Sequence, residues 1–151
     1  MIAVLQRVKR AAVSVEGQTV GEIGDGLAIL LGVAKGDTKK DAELLSAKIA
    51  KHRIFCDEDY KMNLSLKDVS GEALVISQFT LLANYSHGNR PDFFNAASPD
   101  EANSLYEYFC TLLGNEIGKE VEKGVFGAHM VCEFVNDGPV TVVMDSNLLK
   151  K

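Results

Sequence analysis

The first third of the chain consists of short apolar runs punctuated by turn residues. Ile2 to Val8 and Ala11 to Val15 are β-branched segments, and Gln18 to Ile23 follows Glu16-Gly17, a pair suited to a hairpin turn. Gly24-Asp25-Gly26 reads as another turn. Leu27 to Val33 is then a continuous apolar run, the pattern of a strand covered on both faces. Four strands joined this tightly predict an antiparallel meander. Gly36-Asp37-Thr38 opens a helix with Asp37 or Thr38 as N-cap; Ala42, Leu45 and Ile49 share its apolar face and lysines fill the other. Cys56 to Gly71 is polar and mixed, which predicts a loop with a short extended piece. Ala73 to Phe79 reads as a strand.

Asn84 to Ala97 is a long irregular segment, and connections of that length are more often functional than structural. Ser98-Pro99-Asp100-Glu101 combines an N-cap, a proline at the first helical position and a capping box. Ala102, Leu105, Tyr106, Phe109, Leu112 and Leu113 then recur at helical spacing, with Cys110 beside that face. Ala128 to Val135 and Val140 to Met144 predict two more strands, linked by Asn136-Asp137-Gly138-Pro139. About seven strands and two main helices predict an α+β fold. In it, antiparallel sheets curl into a barrel-like core with both helices packed outside, as one domain over residues 1–151.

Composition narrows the function classes. The balance of 16 basic against 21 acidic residues gives −5, which argues against coating nucleic acid through many phosphate contacts. Binding one end of an RNA through a local site stays open. The longest apolar stretch, Leu27 to Ala34, is too short to span a bilayer, and the N-terminus lacks a signal-peptide pattern, so a cytoplasmic protein is expected. Cys56, Cys110 and Cys132 are widely spaced, and His52, His87 and His129 form no metal-ligand pair, so neither a metal nor another cofactor is expected.

No nucleophile elbow, Walker loop or dinucleotide motif is present. Two segments break local rules instead. At Ser77-Gln78-Phe79-Thr80 the apolar run Leu74-Val75-Ile76 enters a cluster of hydroxyls and an amide. Burying such groups unpaired costs roughly 1–3 kcal/mol each, so they either cap neighbouring backbone or form a hydrogen-bonding pocket with donors for an oxyanion. At Asn136-Asp137-Gly138-Pro139 all four are turn residues, yet Pro139 starts a strand, and a Gly-Pro bond has an accessible cis form.

These two segments, Ser77-Gln78-Phe79-Thr80-Leu81 and Asn136-Asp137-Gly138-Pro139-Val140-Thr141, resemble the two signature motifs of the D-aminoacyl-tRNA deacylases. Further similar words are Gln6-Arg7-Val8, Gly88-Asn89-Arg90-Pro91-Asp92-Phe93, Ala97-Ser98-Pro99 and Phe126-Gly127-Ala128, in order along nearly the whole chain. The resemblance implies a homodimer that hydrolyses the ester between a D-amino acid and the terminal adenosine of tRNA, without a metal. It also implies action on mischarged glycyl-tRNA, and rejection of L-aminoacyl-tRNA as a form of chiral proofreading in translation. By the same likeness, Ser77, Gln78, Phe79 and Thr80 form the catalytic pocket wall. The Gly138–Pro139 bond is cis, and the two residues read chirality in the partner's pocket, with Arg7 holding them in place. Arg7 taken by itself reads as an exposed strand charge.

An aminoacyl ester is already reactive, so positioning, oxyanion donors and an activated water suffice. The expected route is substrate-assisted: the terminal ribose 2′-OH helps activate water, and backbone N–H groups near Phe79 and Thr80 hold the oxyanion. The rival readings are a general esterase or amidase with a Thr80 or Ser77 nucleophile, and a non-catalytic module that binds an RNA end. If tRNA is bound, the acidic balance predicts few phosphate contacts and a shallow salt dependence, with Lys9, Arg10, Arg90 and Lys150-Lys151 as the candidate contacts.

Overall fold

Residues Ile2–Val15 form one unbroken strand, β1, rather than the expected pair. In the computed structural model, which describes Met1–Lys151 throughout, β1 pairs antiparallel with β2 (Gln18–Ile23) and β3 (Gly26–Gly32) along the same edge. The register that pairs Ala11 with Ile23 continues unchanged to the pair of Ile2 with Gly32. The meander is therefore a single long hairpin turning at Glu16-Gly17, and Gly24-Asp25 reverses nothing. Lys9 and Arg10 are both exposed opposite Gly24-Asp25, and here both strands exchange the face they bury. Ala3 and Leu5 join the larger core cluster, whereas Val8, Ala11 and Val13 join the smaller one. A bend of this kind places two polar residues in succession, which in sequence looks like a turn.

Next come α1 (Lys39–Lys51), β4 (Phe55–Cys56), β5 (Met62–Leu64) and β6 (Glu72–Ser77). β6 lies parallel to β3, with Leu27 beside Ala73 and Leu31 beside Ser77. This departs from the all-antiparallel expectation and follows from topology: α1 and the short β4–β5 hairpin form the crossover that a parallel pair needs. Burial on both faces is direct. Leu27, Ile29, Leu31, Ala73 and Val75 pack into the larger core, while Ala28, Leu74 and Ile76 pack into the smaller.

Helix α2 (Pro99–Ile117) starts where its cap predicted, with Glu101 N–H donating to Ser98 Oγ at 3.4 Å. It buries Ala102, Tyr106, Phe109, Cys110 and Leu113 beside α1. Tyr106 Oη donates to Val75 O at 2.8 Å, tying α2 to β6 two residues before the polar cluster. Strand β7 (Glu122–Lys123) pairs parallel with β6. Strand β8 (Val131–Asp145) runs antiparallel along the other edge of β1 for nearly its whole length. The sheet, in the order β2-β1-β3-β6-β7 with β8 on β1, curls into a nearly closed barrel with both helices outside. No helix is long and apolar enough to cross a membrane.

Candidate active site

Both irregular segments are strand features that the sheet exposes. At the end of β6 the chain leaves the sheet: Gln78 N–H donates to Leu31 O at 2.8 Å, and Phe79–Leu82 coils into a single 3₁₀ turn. The turn docks closely on β3 because position 32 is glycine. A Cβ there would lie 2.7 Å from Leu82 Cδ2 and 3.0 Å from Gln78 O. Ser77 and Gln78 are half-buried, and Phe79 is 54% exposed. The first amides of such a turn, those of Phe79 and Thr80, have no carbonyl partner within it.

Beside this turn lies a cavity of about 580 Å³, walled by Ser77, Gln78 and Phe79 on one side. Most of the remaining wall comes from Phe93, Ala96, Ala97, Pro99 and the stretch Phe126 to Met130. Phe79 and Phe93 meet edge to face, 5.0 Å between centroids, at its margin. The long 84–97 connection is held over the site by the Ala34–Ala96 bridge and by Lys35 N–H donating to Asn95 O at 2.9 Å. Thr80 lies outside the lining: it is exposed, and its hydroxyl accepts a hydrogen bond from Gln78 Nε2. His129 and Cys132 do line the cavity, and neither was singled out by spacing. Burial raises the Cys132 thiol above its ordinary value, which disfavours the thiolate. The words Phe93, Ala97, Pro99 and Phe126-Gly127-Ala128 were visible in the sequence, but only the fold gathers them onto one wall.

The second segment is an outgrowth of β8 rather than a hairpin. β8 runs in one direction on both sides of it, pairing Asn136 with Val8 and Thr141 with Gln6. One residue of β1, Arg7, thus spans the four-residue excursion Asp137–Val140, and Gly138 and Pro139 stand exposed at its crest. The Gly138–Pro139 bond is cis. Arg7 is buried, not an exposed strand charge. Its Nε donates to Asp137 O at 2.9 Å and its Nη1 to Ile54 O at 2.8 Å, with Asp137 Oδ2 3.7 Å away. Asn136 closes the base: Val140 N–H donates to its Oδ1 at 2.7 Å, while its Nδ2 faces Gln6 Oε1, Val140 O and Thr141 Oγ1. Gly138 has φ +149°, and a Cβ there would lie 2.8 Å from Val140 N.

Within one chain the two segments do not share a site. Arg7 and Asp137 border a separate hollow with Cys56 and Tyr60, and Gly138 and Pro139 are absent from the cavity wall. No group of three or more His, Cys, Asp or Glu residues is placed to hold a metal ion.

A family model described as D-Tyr-tRNA(Tyr) deacylase matches residues 4–145. A D-aminoacyl-tRNA deacylase of Dehalococcoides mccartyi is 58% identical over 146 residues, covering 97% of this chain and 95% of that protein. One from Caldicellulosiruptor saccharolyticus is 55% identical, covering 97% of each. Among solved structures, one titled c-Myc DNA Unwinding Element Binding Protein superposes with a TM-score of 0.90 at 39% identity, covering 96% of this chain and 98% of that one.

Proposed function

The chain belongs to the D-Tyr-tRNA(Tyr) deacylase family, and we propose from that premise that it hydrolyses the ester joining a D-amino acid to the terminal adenosine of tRNA. Free tRNA and the D-amino acid are released, which makes the reaction a chiral proofreading step of translation. The observation that carries this reading is the family match itself, which runs through both irregular segments. The cavity suits it: the half-buried polar groups of Ser77 and Gln78 face a wall that is apolar apart from His129, as a small polar group on an RNA end requires.

The ester carbonyl lies against the 3₁₀ turn, where the Phe79 and Thr80 amides take its developing negative charge. The ribose 2′-OH of the substrate helps activate the attacking water. Thr80 shapes the turn through Gln78 rather than attacking, in keeping with its position outside the cavity lining.

The site is completed in a two-fold dimer, where the partner subunit's Gly138 and Pro139 enter the cavity. Two features support this. The outer edge of β8 is unpaired along a 15-residue strand, with Val131, Val135 and Val143 exposed beside it, an edge that proteins ordinarily cover. And the crest at Gly138–Pro139 is held rigidly by Arg7 and Asn136, yet meets no site of its own chain. Chirality is then read by exclusion. Enantiomers carry identical groups, so attraction to any one of them cannot separate the two. With the ester carbon and the amino group fixed, an L side chain strikes backbone that no rotamer change can relieve, while a D side chain points outward. Glycine has nothing to exclude, so glycyl-tRNA is also a substrate. The test is incubation of purified protein with D-tyrosyl-tRNA. Ester decay faster than in buffer is expected; decay at the buffer rate would leave only a module that binds an RNA end.

A further inference from the structure

Of the basic residues that stand out in the sequence, Lys9, Arg10 and Lys150 are, in the fold, already engaged, whereas Arg90 and Lys151 are exposed and enter no ion pair. Lys9 lies 3.6 Å from Asp25 and 3.7 Å from Asp137, Arg10 lies 3.5 Å from Glu133, and Lys150 lies 2.7 Å from Asp41. The largest group of free positive charges on one element lies elsewhere. The segment Lys35 to Arg53 carries six basic residues against three acidic ones, within a chain whose net charge is −5.

All three carboxylates of that segment are occupied. Asp37 is buried against the Met1 ammonium at 2.8 Å, Asp41 is buried under Ser146 and Lys150, and Glu43 accepts from Tyr108 Oη at 3.0 Å. Lys35, Lys40, Lys48 and Lys51 are exposed and enter no ion pair. On a helix Lys40, Lys48 and Lys51 fall within an arc of about 80° and span roughly 16 Å. Their row begins beside the cavity: Val33 and Ala96 line it, and Lys35 is anchored to Asn95 immediately outside.

We propose that the outer face of α1 is the track for the phosphate backbone of the tRNA acceptor stem, leading its 3′ end from Lys51 towards Lys35 and into the cavity. This rests on the deacylase reading. A row of unpaired lysines contiguous with the cavity complements a polyanion attached to the reacting ester, and four contacts fit an acidic protein that engages one arm of an RNA.

The test compares Lys48→Glu/Lys51→Glu with a control of equal charge change away from α1, Lys61→Glu/Lys119→Glu, both exposed. Two substrates are used: full-length D-tyrosyl-tRNA, and D-tyrosyl-adenosine, which has no stem. The α1 variant is expected to raise KM for the tRNA roughly tenfold or more and to lower the slope of log kcat/KM against log salt by about 2. Its kcat and its hydrolysis of D-tyrosyl-adenosine stay at wild-type values. Equal behaviour of the two variants on tRNA, or equal impairment of the α1 variant on both substrates, would overturn the proposal. If the wild-type protein hydrolyses neither substrate, the deacylase reading fails, and binding of uncharged tRNA decides the surface. Weakening confined to the α1 variant supports the track, and equal affinities of the two variants overturn it.

Discussion

Gly138 and Thr80 are the two positions where a single side chain separates competing accounts. At Gly138 the backbone sits at φ +149°, which L side chains rarely adopt, and a Cβ would press on Val140 N and Cγ2. Gly138→Ala should therefore displace the crest, at a strain of about 1–3 kcal/mol. Because the crest is exposed, the fold should survive while discrimination against L-tyrosyl-tRNA drops by about an order of magnitude; unchanged selectivity in a folded variant would remove Gly138 from the site. Thr80→Ala should leave hydrolysis within about tenfold of wild type, whereas losing a true nucleophile costs on the order of 10⁴-fold or more. A collapse of that size in single-turnover rates would restore the nucleophile reading. The sequence pointed to Ser77–Thr80 as polar residues at a strand end, and that is legible because hydroxyls and amides seldom follow three buried apolar positions without a reason. Arg7 was not legible from local pattern. Its burial depends on Asp137 O and Ile54 O, which lie 130 and 47 residues away. His129 and Cys132 were missed for the same reason: a cavity wall has no period along the chain.

Helices were legible and strand continuity was not. α1 and α2 start at their caps because capping chemistry is local, and their buried faces follow the 3.6-residue period. The strand breaks expected at Lys9-Arg10, Gly24-Asp25 and Asn136–Pro139 are instead a shared bend and an outgrowth, set by pairing partners distant in sequence. α1 also carries the clearest pH-sensitive contact. Burial alone would raise the Asp41 carboxyl, but the Lys150 ammonium, Thr38 N–H and Ser146 hydroxyl outweigh it and hold the group below its ordinary value of 3.8. A carboxylate depressed by folding contributes stability above its unfolded value, and that contribution is lost as pH falls below about 3.8 towards its folded value. Asp41→Asn should lower stability at neutral pH by about 1–3 kcal/mol, with a Tm shift of about 2–4 °C for each kcal/mol. Its deficit should shrink in acid; a deficit that is constant from pH 7 to pH 3 would show that the charge is not what matters.

For the whole molecule, the proposed two-fold contact would account both for the long unpaired edge of β8 and for a crest whose Gly138 and Pro139 stand outside the cavity of their own chain. Sedimentation at micromolar concentration should give twice the 16.4 kDa chain mass, and a fully active monomer would remove the partner's Gly138 and Pro139 from the site. The acidic net charge was readable from composition, but the distribution was not, because which lysines are free depends on which carboxylates fold against them. The central claim is that the protein destroys D-aminoacyl esters and spares L. The most direct measurement is the pair of single-turnover rates on D- and L-tyrosyl-tRNA, taken side by side at saturating enzyme. The D ester is predicted to be hydrolysed at least about 10²-fold faster than the L ester, equivalent to roughly 2.7 kcal/mol or more of exclusion by backbone. Comparable rates for the two enantiomers would contradict the account.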